Sequence, residues 1–207
     1  MTRPEKIRKL ANIFEFLLKD SADLFIMFVD MCGSTLFKQT CSDQGFPETT
    51  WIIRQLLFLQ RVAEIIESYK GIVIKTLGDE VISIFPSTTT PENILNCAIE
   101  IIQSFENFKP YQGKSRIESK ISIDFGLTYN GSITKMIPFD PIGTPVDRCA
   151  RLNALTQKNE ISFSQDFLTA LQMRSSDAQL KAKYDYKTRD ELLKGLGVNP
   201  VHSIKTI

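Results

Sequence analysis

The chain has 207 residues, 43% of them hydrophobic, with 25 Lys and Arg against 24 Asp and Glu. That length can bury a full core, makes one domain the expectation, and excludes fibre, disorder and a disulfide scaffold. Because the charges nearly cancel, no global field draws in nucleic acid or an anionic membrane, so an anionic ligand has to be captured locally.

Residues 4–19 place Ile7, Leu10, Ile13, Phe14, Leu17 and Leu18 at helical spacing with charges between them, which predicts an amphipathic helix packed on the domain. The apolar run Leu24 to Val29 reads as a buried central strand that opens, from Asp30 to Thr35, into a small-residue turn whose backbone amides could face a phosphate. From Thr49 to Tyr69, Ile52, Leu56, Leu59, Ala63 and Ile66 step by three or four, predicting a long core-facing helix stopped by Gly71. Gly71 to Phe85 then holds two short apolar runs around a polar turn with Lys75, Gly78 and Asp79, the pattern of a β-hairpin. Thr90 and Pro91 start a helix that runs to about Phe105, and a loop follows from Phe108 to Arg116.

Ile117, Ile121, Ile123, Phe125 and Leu127 alternate, predicting a long strand with one buried face that ends at Asn130-Gly131. A third helix is expected from Pro145 through Asn153, placing Asp147 and Arg151 on one face, then a strand at Ile161 to Ser164 and a short helix from Gln165. Lys181 to Arg189 is the most linker-like piece, and Val201 to Ile204 reads as the last strand. Strands and helices mix without strict alternation, so the class is α+β. Cys32, Cys41, Cys97 and Cys149 lack C-x-x-C spacing, which argues against metal knuckles and disulfides and for a reducing, cytoplasmic setting. The basic N-terminus is not followed by a signal-peptide pattern, and the longest apolar run falls far short of the roughly 20 residues that span a bilayer. No stable membrane insertion is expected.

Asp30 and Asp79 each end an apolar strand, and a pair of such carboxylates is what a two-metal phosphoryl-transfer site needs. Each aspartate alone reads as a turn cap. Gly113-Lys-Ser115 ends like a P-loop but lacks the first glycine, and Asn130-Gly-Ser132 is a glycosylation sequon without secretory context. His202, the single histidine, is expected on the last strand, and Trp51 is expected to pack rather than stack on a base.

Five blocks in register carry a family resemblance: Phe28 to Thr35, Gly71 to Phe85, Ile123 to Gly131, Gly143 to Leu152, and Leu193-Lys-Gly195. In this order they resemble the motif blocks of class III nucleotidyl cyclases over residues 22–207, leaving 1–21 as an N-terminal helical extension. The resemblance implies a ferredoxin-like, antiparallel-rich sheet with helices on one face, working as a head-to-tail homodimer with active sites at the interface.

By position, Asp30, Met31 and Asp79 match the metal-binding places, for two divalent ions, Mg²⁺ or Mn²⁺. Phe28, Gly33, Ser34 and Thr35 match substrate-binding positions, and Arg151 and Lys194 match the transition-state cations. Asp147 stands where most members have a ribose-orienting asparagine. Lys75 and Asp140 match the adenylate-type base-reading pair, although a lysine donor beside a carboxylate acceptor also suits cytosine and uracil.

The segment Val146-Asp-Arg-Cys-Ala-Arg151 is similar to the stand-alone bacterial cyclases of Pycsar anti-phage systems, which make cyclic UMP or cyclic CMP. The implied function is conversion of a nucleoside triphosphate, with a pyrimidine base favoured narrowly, to a 3′,5′-cyclic monophosphate and pyrophosphate. An adenylate cyclase is the alternative, and an inactive nucleotide-binding dimerisation module is the alternative of another class.

Overall fold

A computed structural model describes residue 5 and residues 21–106, 116–131 and 140–206. The predicted N-terminal helix, nearly all of the Phe108 to Arg116 loop and the Gly113-Lys-Ser115 motif lie outside the described residues. In chain order the elements are β1 (Ser21–Cys32), α1 (Ser34–Asp43), α2 (Thr49–Ser68), β2 (Ile72–Leu77), β3 (Glu80–Pro86), α3 (Pro91–Ser104) and β4 (Glu118–Gly131). They continue with β5 (Asp140–Ile142), α4 (Thr144–Leu155), β6 (Glu160–Ser164), α5 (Gln165–Gln172), α6 (Asp177–Tyr184), β7 (Lys187–Leu193) and β8 (Gly197–Lys205).

The sheet runs β2-β3-β1-β4-β6-β8-β7, with β5 on β4. Its first four strands alternate in direction, and helical crossovers separate β1 from β2 and β3 from β4, which is the ferredoxin-like arrangement. Among the described residues only β4 and β6 run parallel. The class is α+β, as the mixed element pattern predicts.

Alternation along β1 divides the core in two. Phe25, Met27, Val29 and Met31 join Val81, Phe85, Ile121 and Ile123 against Phe58 and Val62 of α2, Ile94 and Ile101 of α3 and Phe167 of α5. Leu24, Ile26 and Phe28 point the other way, with Ile82 and Ile84, against Cys149 of α4. Helices therefore cover both faces, not one, and β4 buries both of its faces as well. Ser122, Asp124 and Thr128 are buried on the face opposite its alternating isoleucines, and Leu127 is exposed.

Three further differences from the sequence reading have physical causes. The predicted core face of α2 is rotated: Arg54, Phe58, Val62, Ile65 and Ile66 are buried, whereas Leu56 is 58% exposed. Apolar residues surround this helix, so two stripes compete, and the stripe with Phe58 wins through the larger buried ring. Lys181 to Arg189 is not a linker but the end of α6 and the start of β7, a polar strand whose edge position tolerates charge. At the end of α2 the left-handed residue is Lys70, and Gly71 serves close approach instead. A Cβ on Gly71 would lie 2.5 Å from the Phe85 ring.

The hairpin and the Thr90 cap form as read. Glu80 pairs with Leu77, leaving Gly78 and Asp79 as a two-residue turn, and Gly78 takes the positive φ that such hairpin turns need. Thr90 accepts a hydrogen bond from the Asn93 amide, with Pro91 opening α3. Among the described residues no helix is long and apolar enough to cross a membrane.

Candidate active site

Strand β1 is buried from Leu24 to Val29, and at the sheet's end Asp30 and Cys32 are partly exposed while Met31 stays in the core. There Asp30, Met31, Cys32, Gly33, Ser34 and Thr35 line a cleft of about 450 Å³ with Asp79, Lys120, Thr156 and Lys158. Asp30 and Asp79, 49 positions apart, thus meet on one concave surface because β1 and β3 are neighbours. Gly33 caps α1 in a left-handed conformation without a side-chain cap, so the first amides of that helix have no side-chain acceptor at the cap. Phe28 does not line the cleft. Alternation sends its ring, 4% exposed, into the core beneath α4.

The turn carrying Asp79 is held from two sides. Gln55 of α2 donates to the Gly78 carbonyl at 2.7 Å, and Asn153 of α4 donates to Glu80 at 2.7 Å. Burial pushes the Glu80 carboxyl above its ordinary range, opposed by the Asn153 bond and reinforced by Asp30 and Asp79. Burial also raises the Cys32 thiol to about 11, which keeps it protonated and inert at neutral pH. Lys120 of β4 sits opposite Asp30 in register, its Nζ 3.2 Å from Oδ2.

Lys75, Asp140, Asp147, Arg151 and Lys194 do not line this cleft. Lys75 Nζ donates to both oxygens of Asp140, at 2.8 and 2.9 Å, joining β2 to the strand before α4. On the exposed side of α4, Asp147 and Arg151 lie one turn apart, but Arg151 turns its Nε to the Lys194 carbonyl at 3.0 Å instead of to Asp147. That contact brings α4 to the turn after β7. On the buried side, Arg148 forks onto Asp124 through Nε at 2.6 Å and Nη2 at 2.8 Å, and also reaches Asp166. Ser164 donates to the same Asp124. Desolvation raises the Asp124 carboxyl, and the Arg148 and Ser164 bonds pull it back.

Sequence reasoning missed Lys120, Lys158, Thr156, Gln55 and Asn153. β1 and β4 are far apart in sequence, so their register, which sets Lys120 against Asp30, could not be counted. Among the described residues no group of three or more His, Cys, Asp or Glu is gathered as a metal centre. The hard oxygen donors of Asp30 and Asp79 do suit a divalent ion, and Asp30 already holds one cation, the Lys120 ammonium, at the half-buried rim.

The family model described as "Adenylate and Guanylate cyclase catalytic domain" matches residues 18–202. The guanylate cyclase domain of RhGC from Catenaria anguillulae, in complex with GTP, superposes with a TM-score of 0.73 at 15% identity, covering 89% of this chain and 97% of that one. The adenylyl cyclase CyaB from P. aeruginosa gives 0.72 at 17% identity, with 90% and 95% covered. The non-canonical dimeric guanylyl cyclase domain of the RhoGC fusion protein from the aquatic fungus Blastocladiella emersonii gives 0.69 at 15% identity, with 88% and 96% covered. No curated protein matches the chain. At these identities the structural likenesses speak for the fold, and the family match, spanning most of the chain, fixes the lineage: this chain belongs to the adenylate and guanylate cyclase catalytic domain family, the class III nucleotidyl cyclases.

Proposed function

We propose that this cyclase converts a pyrimidine nucleoside triphosphate, UTP or CTP, to the 3′,5′-cyclic monophosphate and pyrophosphate, in an anti-phage system of the Pycsar kind. The observation that carries the cyclase site is the cleft that gathers Asp30 and Asp79 beside the open start of α1. Two divalent ions, Mg²⁺ or Mn²⁺, would be held by Asp30, Asp79 and the Met31 position, where they would supply charge neutralisation and acidify the ribose 3′-hydroxyl.

The protein groups do the rest by position and charge. Gly33, Ser34 and Thr35 turn backbone amides and small hydroxyls toward the triphosphate. Arg151 and Lys194, joined by the 3.0 Å contact, meet the negative charge that grows on the phosphoryl oxygens. Asp147, exposed on α4, accepts from a ribose hydroxyl. Since Lys75, Asp140, Arg151 and Lys194 do not line the cleft that holds Asp30 and Asp79, two copies arranged head to tail would complete each site, one giving the two aspartates and the other those four residues.

The Lys75–Asp140 pair offers a donor beside an acceptor, which matches the acceptor-donor edge of cytosine and the adjacent carbonyl and N–H of uracil. Adenine presents a similar edge, so ATP is the second reading. The likeness of Val146 to Arg151 to the pyrimidine cyclases tips the balance. Incubation of the purified chain with each of the four NTPs and Mn²⁺, with products identified by mass spectrometry, decides it. Cyclic UMP or cyclic CMP supports the proposal, cyclic AMP alone selects the second reading, and nucleotide binding without any cyclic product overturns catalysis.

A further inference from the structure

The strand register builds a short row across the sheet: Glu80 on β3, Asp30 on β1 and Lys120 on β4 are cross-strand partners on one face. Glu80 is engaged by Asn153. Lys158, the other cation of the cleft, pairs with Glu118 at 3.3 Å. Lys120 is therefore the single cation paired with Asp30 among the described residues, at 3.2 Å and with both side chains about three-quarters buried.

A divalent ion on Asp30 and the Lys120 ammonium need the same carboxylate oxygens, and two cations a few ångströms apart repel. A lysine head sits on a flexible four-carbon stem and moves without backbone change. The cleft it faces is the one whose α1 amides and Lys158 suit a polyphosphate, so a new anionic partner lies within the same concavity.

We propose that Lys120 is a tethered counter-ion: it holds Asp30 in the resting enzyme, yields the carboxylate to an incoming divalent ion, and passes to the triphosphate. This rests on the cyclase reading of the cleft. Metal and nucleotide then enter in mutual support, because each provides what the other displaces, and the coupling is reciprocal.

The test is Mn²⁺ binding to the full chain, followed by the electron paramagnetic resonance signal of free Mn²⁺, with and without an α,β-methylene triphosphate that cannot cyclise. Without nucleotide, Lys120→Met binds Mn²⁺ about tenfold more tightly than the natural chain, the scale expected for lifting a nearby like charge. Its nucleotide-dependent gain is correspondingly smaller, and Lys120→Arg, which keeps the charge, stays close to the natural pattern. Mn²⁺ affinity in Lys120→Met equal to or weaker than that of the natural chain overturns the counter-ion role. Asp30→Asn and Asp79→Asn separate this from the underlying reading. If they bind Mn²⁺ as the natural chain does, the metal assignment itself fails; if they lose Mn²⁺ while Lys120→Met is unchanged, only the role of Lys120 fails. Circular dichroism confirms that each variant is folded.

Discussion

Gln55 ties its side-chain amide to the Gly78 carbonyl at 2.7 Å, so the long helix α2 fixes the height of the turn that presents Asp79. Gln55→Ala removes that tether without opening the core, since a single hydrogen bond of this kind contributes about 1 kcal/mol. Turnover is expected to fall about tenfold, as misplacement of a reacting group does, while the urea midpoint moves little. Steady-state kinetics beside a denaturation curve check the split.

Asp30→Asn and Asp79→Asn should each remove several kcal/mol of transition-state stabilisation, about a thousandfold in turnover. Asp79 lies on a turn at the cleft, so its change should alter folding stability by no more than about 1 kcal/mol, whereas the Asp30 change leaves the largely buried Lys120 without its partner and should cost more. Cyclisation rates and chemical denaturation of the same preparations measure both effects.

Asp124 is fully buried and forked by Arg148. Arg148→Ala leaves the buried Asp124 charge uncompensated and is expected to cost about 3–5 kcal/mol, and Asp124→Ala, after which Arg148 still pairs with Asp166, is expected to cost less. The double change Asp124→Leu with Arg148→Met should recover a good part of that loss. Urea unfolding of the three variants tests the expectation, and non-additivity is the readout.

His202 lies between Phe163 and Tyr186, with Thr188 and Gln165 at its two ring nitrogens. Burial pushes it below its ordinary value of 6.5. As pH falls, the unfolded chain takes up this proton first, so the contribution to stability is complete above about 6.5 and is lost progressively below it, down to the native pKa. Melting temperature should therefore drop between about pH 7.5 and about pH 5.5, and less steeply in His202→Gln. Parallel thermal scans of the two chains show whether the slopes differ.

Lys75→Ala and Asp140→Ala should raise KM and flatten the preference among bases, because a site built to hydrogen-bond a base edge discriminates through the penalty of leaving buried polar groups unpaired. The loss in selectivity is expected to be about tenfold or more. Competition assays with mixed NTPs read it directly.

Much of this molecule was legible where short-range rules operate. The hairpin followed from its glycine turn, α3 from Thr90 and Pro91, and α4 from Pro145. What stayed hidden depended on contacts distant in sequence. The choice between the two apolar stripes of α2, the second covered face of β4 and the placement of Lys120 all follow from how strands far apart in the chain come to lie side by side. Helix α6 and strand β7 escaped because their polar residues carry no apolar periodicity and are held by the Ser176 capping box and by pairing with β8.

Helix α4 has one side locked to Asp124 and Asp166 through Arg148, and another side that carries Asp147 and Arg151 in solvent. Asp147 and Arg151, which we propose meet the nucleotide, are thus surface residues on an anchored scaffold. Substitutions at Asp147 or Arg151 can accumulate at little thermodynamic risk, whereas Asp140, mostly buried and paired with Lys75, costs more to change. If the proposed roles hold, what this helix offers to solvent can be exchanged while the fold stays intact, so that binding preference is adjusted separately from foldability.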